Sequence, residues 1–273
     1  MTFSVLARDA TTGDLGVAVS SCILAVGRAV PGARPGVGIA AVQAHSRRGL
    51  RNSLLDGLAE GTPPAVLVHR AAHAAEDAER QIAVIDVTGT VAADTGPGSF
   101  PVSGHMTGDG FSVQGNMLAS EEVLPAMART VATARGDLAD RLLAALTAGQ
   151  DAGGDLRGRQ SAALLVVSGR PLTDEDDGVR TDLRVDDSGD PVAQLRMLRN
   201  LQRAYDERDY ETLAVFAPEG ARDLYAALAA SRRGDRAAAR AALEAMRSRP
   251  GWAAWLASMA GDARLSAVSR LLG

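Results

Sequence analysis

Lysine is absent from this chain: all 29 basic residues are arginine. That removes a lysine Schiff base, a lysine general base and a phosphate-loop lysine from the available chemistry. Any cation in a site is a guanidinium, which stays protonated and binds or stabilises charge without moving a proton. Cysteine is nearly absent as well. With Cys22 alone, no disulfide can close within the chain and no cysteine metal cluster can form. No apolar run approaches the roughly 20 residues that span a bilayer. The opening MTFSVLARD lacks the basic stretch and apolar core of a signal peptide, so a cytoplasmic protein is expected. Positive charge is not in excess either: 33 acidic residues outnumber the arginines, for a net charge of −4. No basic field is present to hold a nucleic-acid backbone or an anionic membrane, and neither is expected as a partner.

What remains is globular in composition, with 46% hydrophobic and 23% charged residues over 273 positions, enough for one large domain and a small one. Phe3 to Arg8 and Leu15 to Ser20 read as strands around the turn DATTGD, a hairpin at the start of the chain. Gly38 to Gln43 reads as a third strand. Leu50, Leu54, Leu55 and Leu58 recur at helical spacing, and Pro64 opens a second helix at a position where proline is tolerated. Gln81 to Val87 and Gly89 to Ala93 form another hairpin. Thr95 to Gly115 reads as a long Gly-, Pro-, Ser- and Thr-rich loop, a kind that often carries function. Two helices follow, Ser120 to Ala134 and Leu138 to Asp151, then strands at Ser161 to Ser168 and Thr181 to Asp186. Strands, two helices, strands, two helices, strands is an order that suits two stacked sheets covered on both outer faces, an α/β four-layer αββα sandwich. A polar break, DDSGDP, ends this region at residue 190. Residues 191–273 read as a helical tail, in which ALAASRRGDRAAARAALEAM resembles a loose tetratricopeptide-like helix pair joined at Gly234-Asp235.

Thr2 is the sharpest chemical candidate. Methionine before a small residue is usually removed, which would leave a free α-amine beside the Thr2 hydroxyl. A neutral amine can accept that hydroxyl proton, and its ordinary pKa of about 7.7–8.0 suits a base. The bland account is that many cytosolic chains simply begin Met-Thr. The opening MTFSVLARDATTGDLGVAVSS, the central VQGNML at Val113 to Leu118, and AGQDAGGDLRGRQSAALLVV at Ala148 to Val167 together resemble the bacterial and archaeal family named domain of unknown function 1028. That resemblance runs over about the first 200 residues and implies an N-terminal-nucleophile (Ntn) hydrolase-like fold. It does not by itself imply an activity. Some members carry C-terminal extensions proposed to bind peptidoglycan, and the tail here does not match one.

In Gln114-Gly115-Asn116, an Asn amide or the backbone N–H beside a glycine can face a developing oxyanion; the same dipeptide also makes an ordinary tight turn. Asp155, Arg157, Arg159, Gln160 and Ser161 form a dense polar cluster. Asp155 and Ser161 can orient the Thr2 amine, while Arg159 and Gln160 can bind a substrate carboxylate; an ion-pair network that closes a loop is the alternative, favoured for Arg157. Of the four histidines, His69 and His73 are spaced for one ion, but no acidic residue completes a motif, so no metal is expected and an exposed helix face is the better account. His105, His45 and the strand end at Gln43 can line a substrate cleft. Cys22 reads as buried. The GPG and TGDG segments do not follow a phosphate-loop or dinucleotide pattern.

Two functions compete. One is an amidohydrolase that cleaves a small amide or carbamoyl compound through an acyl-enzyme at Thr2, with no cofactor. In it Thr2, Asn116, Asp155 and Ser161 are catalytic, and Gln43, His45, His105, Gln114, Gly115, Arg159 and Gln160 bind substrate. The other is a ligand-binding or scaffolding protein that keeps the Ntn fold without its chemistry; the missing lysine favours it, because some Ntn hydrolases such as proteasome subunits place one near the nucleophile. A homo-oligomer and a protein partner for the helical tail stay open.

Overall fold

The computed structural model describes residues 2–45, 48–73 and 78–258. Two antiparallel sheets form its centre. The hairpin of β1 (Thr2–Arg8) and β2 (Leu15–Ser21) is followed by a short α1 (Val26–Ala29), then β3 (Pro31–Arg34) and β4 (Gly38–Gln43). Helices α2 (Arg48–Ala59) and α3 (Pro64–His73) lead to β5 (Gln81–Asp86), β6 (Val91–Thr95), β7 (Gly104–Gly108) and β8 (Phe111–Asn116). After α4 (Val123–Thr133) and α5 (Leu138–Asp151) come β9 (Ser161–Val167) and β10 (Val179–Val185). The larger sheet has the order β10-β9-β2-β1-β8-β7 and the smaller β3-β4-β5-β6.

Side chains on a strand alternate between faces, and this period sorts the core. Leu6, Val17 and Val19 from the large sheet pack against Ile39, Ala41, Ala83 and Ile85 from the small one. The opposite parity of the small sheet, Ala40, Val42, Ile82 and Val84, packs on Leu54, Leu55 and Leu58 of α2 and on Leu67, Val68 and Ala71 of α3. The outer face of the large sheet is covered by α4 and α5. There Gly149 of α5 permits close approach, since a Cβ would stand 2.7 Å from Met127 and 3.3 Å from Phe3. The result is a four-layer αββα sandwich, two facing sheets with helices on both outer faces. No described helix is long and apolar enough to cross a membrane.

The stretch from Thr95 to Gly115, expected to be loop, contains a further hairpin, β7–β8, turning at Asp109-Gly110. Its pairing with β1 completes the large sheet. The short α1 and β3 were likewise not foreseen. Contacts divide the chain into two compact units, Met1–Arg196 and Met197–Gly273. In the first, Arg196 at the start of α6 (Pro191–Asp206) donates to the Thr147 hydroxyl of α5 at 2.9 Å. The second contains α7 (Tyr210–Phe216), α8 (Glu219–Arg232), α9 (Arg236–Arg247) and α10 (Trp252–Ser258), around Leu228, Leu243, Met246 and Leu256. Asp235 caps α9 by accepting from the Ala238 N–H at 3.0 Å.

The register of β1 against β2 is held at its far end by Asp9. Its Oδ1 accepts from the Thr11 and Thr12 N–H groups at 2.8 Å, and its Oδ2 from Arg141 at 2.9 Å. Burial alone would raise this carboxyl, but the Thr12 and Thr11 N–H groups and the Arg141 guanidinium together hold it below the ordinary value. A carboxylate with a depressed folded-state pKa stabilises the fold above its unfolded value of about 3.9. That contribution disappears as pH falls through the depressed folded value. Thr2 and Ser21, at the open end of this hairpin, depend on the same register, because a one-residue slip reverses every side chain. Thermal melts of wild type and Asp9→Asn should therefore differ at pH 7, and the gap should close as the pH falls below about 4. A pH-independent gap would remove the charge from this account.

Candidate functional site

The inward parity that is aliphatic along most of the sandwich becomes polar at one end. In the large sheet, Thr2 of β1 pairs with Asn116 of β8, and Ser21 of β2 pairs with Ser161 of β9. The β1–β2 register sets Thr2 beside Ser21, and their hydroxyl oxygens are 3.1 Å apart. One row across four strands thus carries Asn116, Thr2, Ser21 and Ser161, all buried. In the small sheet, Gln43 ends β4 and Gln81 begins β5; they are paired and share the inward parity of Ala41 and Ala83. Their side chains reach across to the large sheet.

The hydrogen bonds between the sheets fix which way each carboxamide faces. Gln43 Nε2 donates to the Thr2 carbonyl at 3.2 Å and to Gln81 Oε1 at 2.9 Å, while the Ser4 hydroxyl donates to Gln43 Oε1 at 2.8 Å. Gln81 Nε2 lies within donating distance of the Gly115 carbonyl at 2.7 Å, the Gly104 carbonyl at 3.1 Å and the Thr95 hydroxyl at 3.2 Å. A backbone carbonyl only accepts, so these contacts orient both glutamines without appeal to flips. Gln81 Oε1 must then be an acceptor, and the Asn116 atom 2.7 Å away must be Nδ2. The side chains joined by these bonds, Thr2, Ser4, Ser21, Gln43, Gln81, Thr95 and Asn116, carry hydroxyls and carboxamides.

The other expected site residues fall into two groups. His105 reaches the network from β7, with Nδ1 2.9 Å from the Thr95 hydroxyl, and His45 stands exposed two residues beyond Gln43. Gly115 contributes its carbonyl to Gln81. Gln114 lies beside Ser4 in the register and is fully buried. The second group clamps a loop beside Thr2. Asp155 Oδ2 accepts from the Cys22 N–H at 2.9 Å and from Arg157 at 3.2 Å, and its Oδ1 accepts from the Arg157 N–H at 2.9 Å. The Ser161 hydroxyl donates to the Ile23 carbonyl at 2.5 Å and accepts from the Val26 N–H at 3.0 Å. Arg159 forms an exposed ion pair with Asp190 at 3.6 Å, and Gln160 donates to Asp187 at 3.1 Å. These contacts tie residues 155–161 to the 22–26 connection and to residues 187–190; none of them runs to the Thr2 hydroxyl. Cys22, expected to be buried, is partly exposed. Ser4, Ser21, Gln81 and Thr95 were not picked out from sequence.

Backbone conformation marks the same end of the sandwich. Ala25, Ala44, Val102 and Met117 have φ of 55°, 64°, 54° and 48°. Ala44 follows Gln43, Met117 follows Asn116, Val102 precedes the β7 edge, and Ala25 lies in the loop held by Ser161. Such conformations cost on the order of 1–3 kcal/mol each without glycine, and they concentrate where a site is built. For a β-branched valine the cost is especially hard to avoid.

The family model described as "Family of unknown function (DUF1028)" matches residues 2–195. A solved structure assigned to the same family, protein SPO2555 from Silicibacter pomeroyi, is 32% identical and covers 74% of this chain and 88% of its own, with a TM-score of 0.66. Anbu (ancestral beta-subunit) from Yersinia bercovieri is 12% identical over 79% of this chain and 98% of its own, with a TM-score of 0.40. The Anbu (Gly-1) mutant from Hyphomicrobium sp. strain MC1 is 14% identical over 80% of this chain and 99% of its own, at 0.37. No curated protein matches.

Gln114 yields a test of whether this polar end is retained at the expense of stability. Its Nε2 and Oε1 are buried without hydrogen-bond partners among the described residues. An unmet buried polar group costs about 1–3 kcal/mol. Gln114→Met, close in shape and apolar, should therefore raise the melting temperature by about 2–4 °C per kcal/mol recovered. A lower melting temperature would show that Gln114 is paired in solution.

Proposed function

This chain belongs to the DUF1028 family, and from that premise we propose that it is an N-terminal-nucleophile amidohydrolase acting on a small amide or carbamoyl compound. The observation that carries the reading is the convergence of Thr2, Ser21, Gln43 and Asn116 between the sheets at one end of the sandwich. The nucleophile would be the Thr2 hydroxyl. The base would be the Thr2 α-amine, which is free once Met1 is removed and stands on the same residue as the hydroxyl; Met1 itself lies outside the described residues.

The step balances within the site. Thr2 Oγ1 adds to the substrate carbonyl carbon while its proton passes to the α-amine. The resulting oxyanion is met by donors such as Asn116 Nδ2. Collapse breaks the C–N bond as the amine returns its proton to the leaving nitrogen, and water then hydrolyses the acyl ester. No cofactor enters. Asp155 and Ser161, read from sequence as catalytic, fit better as supports for the loop beside Ser21. The network of hydroxyls and carboxamides also supports a second reading, a protein that binds a small amide without cleaving it, because such groups recognise donors and acceptors but do not move protons well at neutral pH.

Intact mass, together with a screen of amides and carbamoyl compounds, separates the two readings. For a hydrolase, the purified protein lacks Met1. Thr2→Ser keeps partial activity, and Thr2→Ala loses at least ~10³-fold while still folding with a cooperative thermal transition. The rate should rise with pH, with a midpoint near or below about 7.7–8.0 as the amine deprotonates. Hydrolysis that survives Thr2→Ala would refute the mechanism. A protein that binds an amide, retains Met1 and cleaves nothing would establish the second reading instead.

A further inference from the structure

We propose that Gln81 is the positioning residue of this site: one buried carboxamide sets the orientation of Asn116 directly and that of the Thr2 carbonyl through Gln43. Gln81 acts through Asn116 and Gln43, so the role is indirect. It follows from three features. Gln81 is fully buried at the head of β5. Its Nε2 is held by the Gly104 and Gly115 carbonyls, so the amide cannot rotate without turning an oxygen toward two oxygens. Its Oε1 is then a fixed acceptor for two donors, Gln43 Nε2 at 2.9 Å and Asn116 Nδ2 at 2.7 Å.

The consequence is directional. Asn116, paired with Thr2 in the register, is held through Nδ2 by Gln81, which fixes which end of its carboxamide is the donor and which the acceptor. Gln43, held by the same oxygen, keeps Nε2 on the Thr2 carbonyl. Without Gln81, Asn116 could exchange Oδ1 and Nδ2 freely. A site that alternates between an acceptor and a donor at one position loses the preorganisation that makes such groups effective. Gln81 also anchors the outer strands through Thr95 of β6, whose hydroxyl meets His105 of β7.

The test has two arms. The first is independent of activity: side-chain amide NMR of wild type and of Gln81→Met, an uncharged variant of similar length. In wild type the Asn116 and Gln43 carboxamide protons should exchange slowly with solvent. In Gln81→Met both should exchange at least ~10-fold faster, with the Val5 and Val17 backbone amides still protected. Unchanged side-chain exchange, or rapid exchange already in wild type, would overturn the inference. Should Gln81→Met not fold, Gln81→Glu takes its place. A protonated Glu can donate to one carbonyl and accept from Asn116, so Asn116 protection should recover at low pH; an unchanging protection would again contradict the role. The second arm rests on the nucleophile reading and uses a β-lactone that acylates Thr2 Oγ1 as its ring C–O bond opens. Adduct formation should slow by at least ~10-fold in Gln81→Met. An equal rate would overturn the positioning role and leave the nucleophile intact. No adduct in wild type would count against the nucleophile, while the exchange arm still decides the role of Gln81.

Discussion

A carboxamide buried between two sheets must meet its donors and acceptor at once, and the site follows from how Gln81 does so. Its donors go to backbone carbonyls of β7 and β8, which cannot reciprocate. Its oxygen therefore takes Gln43 from its own sheet and Asn116 from the facing one. One amide thus joins the two layers at the end where Thr2 begins β1. Farther in, the same inter-sheet space is filled by Leu6, Val17, Ile39 and Ile85, whose burial contributes about 1.5–3 kcal/mol each. The aliphatic part holds the sheets together; the polar end gives up such burial for directed hydrogen bonds.

That exchange explains which parts of the fold were legible. β1, β2, β4 and β9 are nearly continuous apolar runs, as central strands buried on both faces should be, and they read correctly. α2 and α5 showed their leucines at helical spacing. The β7–β8 hairpin did not read as strands because its inward parity on β8 is Ser112, Gln114 and Asn116, while β7 is an exposed edge of Gly, His and Thr. One of the residues that hid the strand from a search for apolar periodicity, Asn116, belongs to the buried polar network. α1 and β3, at four residues each, are too short for any periodic signal.

The residues of the buried polar network were legible to different degrees for the same reason. Thr2 and Asn116 stood out by chemistry and motif, and Gln43 as a strand end. Gln81 and Ser21 were passed over, although both carry a parity signal: each occupies the inward parity of an otherwise aliphatic strand, at its end. A polar residue in that slot needs a partner across the sheets, and two such glutamines at paired strand ends mark a shared polar layer. Asp155, Arg159 and Gln160 drew attention through their density of charge and amide groups. Density alone does not distinguish a site from a clamp, and here Arg157, Asp187 and Asp190 answer them. The missing lysine has a structural counterpart: among the residues hydrogen-bonded around Thr2, Gln43 and Gln81 bring amides where a cation would otherwise alter the charge of the site.

The claim that this inter-sheet network of hydroxyls and carboxamides is where the protein meets its ligand can be tested whether or not the ligand is cleaved. Titrating the protein with simple primary amides and carbamoyl compounds, and following backbone and side-chain amide resonances, locates the contact directly. The account predicts saturable shifts at Thr2, Gln43, Gln81 and Asn116, with little change at Leu228 or Leu243 in the second unit. Saturable shifts confined to the second unit, with Thr2 and Asn116 unmoved, would contradict it.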